Sequence, residues 1–210
     1  MNLIIKHGWI FIIIAVVGEM LIPFFLAPLY KGYSHSTMAI SALGSKGSPV
    51  RLPFNLWMLT AGVLFLLSIP GIYDVYGKAS KALSIVTVVF LAIFAIGACI
   101  FTCFFSVNAS KDVVTVASQI HGAGSAIGFM LMLFVPLLLA ILSFKMGDKV
   151  TGIIGMVSFV LALVFFVLFV MADKPEFQNT VIAKEGLWQR LNLLFMYLPL
   201  FYIAITKSKL

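Results

Sequence analysis

Few side chains in this chain could do chemistry, and its apolar background makes them easy to single out. Glu19 lies ten residues into an uninterrupted apolar run. Placing a charge at that depth costs at least about 2.5 kcal/mol even on the lenient insertion scale, so such residues face a bundle interior or a wet cavity. The acid is either a proton-handling group or a neutral carboxyl bonded to a neighbouring hydroxyl. His35 sits among Tyr33, Ser34, Ser36, Thr37 and Ser41 in a stretch rich in hydroxyls and glycine. Hydroxyls and free backbone amides of that kind suit anionic groups such as phosphates. His121 stands on one helical face with Ser118, Gly122 and Ser125, by three-to-four spacing. Arg190 offers a planar fork for a phosphate or carboxylate, or an interfacial anchor that snorkels to the headgroups.

No familiar reaction centre joins these residues. There is no Ser-His-Asp order, no HExxH, and no Walker or dinucleotide glycine pattern. Cys99 and Cys103 share one helical face and read as small apolar core residues. With His7, His35 and His121 they make no metal-ligand spacing. No metal and no cofactor is expected, and no catalytic residue is assigned. If a reaction occurs, His121 or His35 is the base to expect, because histidine titrates near neutral pH.

The elements that must position these groups are membrane helices. Hydrophobic residues make up 62% of the 210 residues and charged residues only 10%. A soluble domain carries about 25% charged residues, so a water-facing domain is excluded. The formal charge of +7 comes from scattered lysines and arginines. These meet anionic lipid headgroups and form no aromatic-interleaved nucleic-acid patch.

Six apolar runs predict helices at about 9–29, 53–73, 82–106, 113–144, 150–172 and 187–206. Each meets the roughly 20 residues needed to cross a bilayer. The expected fold is an all-α, six-helix transmembrane bundle forming one domain over 1–210. The first run is longer than a signal core and lacks a small-x-small cleavage site, so it reads as the first span. Trp57 and Trp188 fall near helix ends, where aromatic belts form. Pro23, Pro136 and Pro199 lie inside helices and favour kinks, which either open a cavity or merely adjust shape.

Six spans put both termini on one side. Basic residues divide evenly between the sides, so the positive-inside rule does not choose between them. Lys207-Ser208-Lys209 leans toward a cytoplasmic end in a prokaryotic cytoplasmic membrane.

Topology carries the argument further. The loop before the second helix, the start of the fourth and the start of the sixth all fall at the end away from the termini. Gly124 and Gly128 form a GxxxG pair that lets another helix approach closely. Ser34, His35, Ser41, Asn55, His121 and Arg190 are therefore expected to make one polar, lipid-binding site at that end. The partners expected are membrane lipids.

Tyr33-Ser34-His35, then Ile40-Ser41-Ala42-Leu43-Gly44 and Ser48-Pro49 entering a helix at Phe54-Asn55, resembles the signature of the prokaryotic family called domain of unknown function 998. His121 opening a later helix and Gly186-Leu187-x-x-Arg190 opening the last one fit as well. Two positions depart from that pattern: Phe105-Ser106-Val107 replaces a common Phe-Pro step, and Gln189 stands where an acid often precedes the arginine. The family is distantly similar to six-helix proteins that include the DRAM autophagy modulators and a remodelling factor for glycosylphosphatidylinositol lipids. The resemblance implies lipid-related work and names no reaction. Two other readings stand beside it. One is a small proton-coupled transporter built on Glu19. The other is a structural or regulatory subunit that shows a partner a small-residue stripe such as Gly152 and Gly155.

Overall fold

The computed structural model describes residues 3–108 and 113–208. Lys209 of the terminal basic cluster lies outside them. The chain is an all-α polytopic membrane protein. Its six long helices are α1 (Leu3–Leu26), α2 (Arg51–Tyr76), α3 (Lys81–Phe104), α4 (Val116–Lys145), α5 (Lys149–Met171) and α6 (Glu185–Ser208). All six are long and apolar enough to cross a membrane.

Local chemistry sets the helix starts. Thr115 is extended and exchanges hydrogen bonds with Ser118 in a capping box, which starts α4 at Val116, later than the apolar pattern suggests. Asp148 accepts from the Thr151 amide at 3.0 Å and the Thr151 hydroxyl at 2.6 Å, so it caps α5. Gly147 before it takes φ 79°, a left-handed value that permits the tight α4–α5 turn.

Two irregularities shape the bundle. In α3 a π-helical turn spans Ala95–Ile100. It lies where α3 meets both α2 and α4. A Cβ added to Gly97 would stand 2.5 Å from the Gly124 carbonyl oxygen, and one added to Gly124 would stand 2.8 Å from that of Gly97. The Gly124 and Gly128 face thus lets α4 approach the π turn backbone to backbone.

The second irregularity is a break in α4 at Leu133–Phe134, just before Pro136. Proline lacks the amide donor and clashes with the preceding turn, so the helix bends there. The first half of α4 then leans on α3, and the second half packs along α5. Gly152 and Gly155 serve this second contact. They are buried against Phe144, Pro136 and Ala140 of the same chain, which corrects the expectation of an outward small-residue stripe. The outward face of α5 instead shows Val157, Val160, Val164 and Val167.

The centre of the bundle is aromatic. Phe65, Phe94 and Tyr197 are nearly inaccessible, with ring centroids 5.8–6.1 Å apart. Edge-to-face and tilted pairs of this kind add about 0.5–1.5 kcal/mol each beyond their burial.

Candidate functional site

The expected polar residues divide into two groups. The first is a knot around Arg190. This side chain is buried at the start of α6 beneath the first loop. Its Nη1 donates to the carbonyls of His35 and Gly186, both at 2.8 Å, with Met38 at 3.4 Å. Its Nη2 donates to the Tyr33 hydroxyl at 2.6 Å. The guanidinium also lies 5.9 Å from the ring centroids of Phe24 and Tyr33. Nearby, the Leu187 amide donates to Ser36 O, and the Ile40 amide donates to Gln189 Oε1 at 2.7 Å.

Hydrogen bonds from a charged donor are worth about 1.5–3 kcal/mol each, so Arg190 is the strut that holds the loop on α6. His35 reaches it through its carbonyl, while its ring stacks on Phe24 at 4.4 Å. Burial, then the nearby Arg190 charge, lower the His35 pKa. Ser34 accepts from the Thr37 amide in a local turn. Asn55 donates to Cys103 O and Ser106 Oγ, and so ties α2 to the end of α3.

The second group lines a cavity of about 610 Å³. Ser41, His121, Ser125 and Glu19 line it, and so does Gln189. Arg190, His35, Ser34 and Asn55 are not among its lining residues. The sequence had placed Ser34, His35, Ser41, Asn55, His121 and Arg190 in one site. The fold separates the loop-holding knot from the space that could hold a ligand.

The cavity wall is largely phenylalanine and methionine. Phe94, Phe129, Phe166, Phe169, Met58 and Met130 contribute large apolar side chains to it. On one flank its lining residues Gly122, Ala126, Met130 and Val170 are exposed. They lie on the first half of α4 and the end of α5. That flank is the side a surrounding bilayer would meet. Phe94 lines the space and packs against Phe65 and Tyr197 behind it.

Glu19 is held by two donors on different helices. Trp57 Nε1 of α2 donates to Oε1 at 3.0 Å, and the Tyr197 hydroxyl of α6 donates to Oε2 at 3.4 Å. A carboxylate has about four lone-pair positions, so acceptor capacity remains. Trp57 had read as a belt residue, and Tyr197 carried no signal. Their convergence on Glu19 joins α1, α2 and α6, and no spacing along one helix could disclose it.

His121 Nδ1 lies 2.8 Å from Phe105 O. A carbonyl can only accept, so Nδ1 carries the proton, and in the neutral ring Nε2 is left as an acceptor. Among the described residues, no group of three or more His, Cys, Asp or Glu side chains is placed to hold a metal ion.

No curated protein matches this chain. No solved structure matches it either. Residues 13–206 match the family described as "Protein of unknown function (DUF998)". That match covers nearly the whole six-helix bundle, and the chain belongs to this family.

Proposed function

We propose that this membrane protein binds an amphiphile, a lipid or lipid-like molecule, in the cavity between α3, α4, α5 and α6. The observation that carries this reading is the cavity itself: apolar rings, a polar fringe and an open flank toward the bilayer. Its volume falls within the roughly 300–1,000 Å³ of ligand pockets. An acyl chain would lie against Phe129, Phe166 and Phe169, with its polar group among Glu19, Ser41, His121, Ser125 and Gln189. Arg190 and His35 take part indirectly by holding the loop that carries Ser41. The setting in this reading is a prokaryotic cytoplasmic membrane, with both termini inside.

Native mass spectrometry of protein purified in mild detergent tests it. Gly122 lines the cavity, and a Cβ there meets nothing within 4 Å, so a larger side chain fits at the cavity's edge without moving the backbone. Wild type is expected to retain an amphiphile that Gly122→Phe loses while keeping its thermal stability. Equal retention by both overturns the reading.

A further inference from the structure

The cavity's polar lining includes Glu19, His121, Gln189 and the hydroxyls of Ser41, Thr102 and Ser125. Glu19 is the decisive group. It is buried at mid-helix, borders the cavity, and has two donors on its oxygens with capacity for more. Trp57 Nε1 can only donate, so it does not compete as an acceptor. His121 adds a second acceptor, Nε2, because Phe105 O fixes the proton on Nδ1. The Gln189 carbonyl oxygen is already taken by the Ile40 amide.

An anionic headgroup entering this space would meet the Glu19 carboxylate as a like charge. An alcohol would gain a single hydrogen bond. An ammonium group would gain both hydrogen bonds and an ion pair, and a low local dielectric strengthens that attraction. Complementary charge at a binding site selects among ligands of equal apolar area. Resting on the amphiphile reading above, we propose that the cavity selects amphiphiles bearing a primary amine, with Glu19 as the counter-charge and His121 Nε2 as a second acceptor. The apolar chain then lies along the phenylalanines toward the open flank.

The test uses matched twelve-carbon probes, namely dodecylamine, dodecanol and dodecyl phosphate, titrated calorimetrically into the full-length protein in a non-ionic detergent. Wild type is expected to bind the amine roughly tenfold or more tightly than the alcohol, about 1.4 kcal/mol, with the phosphate weakest. Glu19→Gln keeps size and one of the two acceptor oxygens while removing the charge, and should bring the amine to the level of the alcohol. Glu19→Asp, which keeps the charge, should retain a preference for the amine and guards against simple misfolding of the glutamine variant. Lysophospholipids with ethanolamine or glycerol headgroups separate two sources of the amine. Preference for ethanolamine marks a lipid headgroup, and preference confined to dodecylamine marks a free alkylamine; either result supports the inference.

Phosphate bound as tightly as amine, or an amine preference that survives Glu19→Gln, overturns it. If all three probes bind alike and Gly122→Phe abolishes them, the amphiphile site stands and the amine inference alone falls. If none binds, or Gly122→Phe changes nothing, both fall.

Discussion

At the scale of single residues, Arg190 and His35 show how a polar side chain can be essential without touching a ligand. Arg190 donates to two close backbone carbonyls and a tyrosine hydroxyl. Arg190→Ala should lower stability by at least about 3 kcal/mol, given about 1.5–3 kcal/mol for each charged hydrogen bond. Arg190→Lys should rescue little, because an ammonium cannot reproduce the fork. Thermal unfolding in detergent measures both.

The His35 pKa is lowered by burial and then by Arg190. A depressed pKa means that the fold favours the neutral ring. Its contribution is complete above the ordinary histidine range and is lost as pH falls through the lowered value. Proton NMR of the His35 ring should give a midpoint below that of an unfolded-peptide histidine. A midpoint at or above it contradicts the stacked, arginine-facing placement.

Sequence alone disclosed that Arg190 and the Tyr33–Ser41 loop meet, since alternating topology puts them at one end. It did not disclose that the guanidinium would be consumed by backbone carbonyls. That depends on the path of residues 33–40 over α6, which no side-chain pattern encodes. Glu19 was legible as a costly group, and its partners Trp57 and Tyr197 were not.

At the scale of elements, helix starts and close crossings are the features most open to test. Asp148→Ala removes the cap of α5 and should cost about 0.5–2 kcal/mol. The same unfolding measurement detects it. Gly97→Ala would place a methyl group 2.5 Å from Gly124 O, beside the π turn. Overpacking of this kind costs about 1–3 kcal/mol, and backbone on both sides leaves no flexible side chain to yield.

The GxxxG spacing in α4 foretold a close approach, but the facing π turn left no mark in the apolar pattern of α3. Pro136 foretold a bend. Its consequence, two halves of α4 serving different neighbours, followed only once α3 and α5 were in place. The small residues Gly152 and Gly155 were legible as a packing stripe, but periodicity does not say whether the partner is another chain or the next helix. The three-residue connection Met146-Gly147-Asp148 settles that, because it folds α5 straight back on α4.

At the scale of the whole molecule, six apolar runs suffice to specify a polytopic bundle, since every backbone polar group in lipid must be satisfied within a helix. The cavity did not follow from those runs. It lies where the first half of α4 leans on α3 instead of packing along α5, with a flank of exposed small and apolar residues beside the core. Membership of the DUF998 family is consistent with such a bundle and assigns no ligand.

The most direct test is photo-crosslinking with a dodecylamine that carries a diazirine at its tail end, followed by peptide mapping. Adducts concentrated on Met130, Phe166 and Phe169, and lost in Gly122→Phe, are the predicted result. Adducts confined to the outward valines of α5, unchanged in that variant, would contradict an internal amphiphile site.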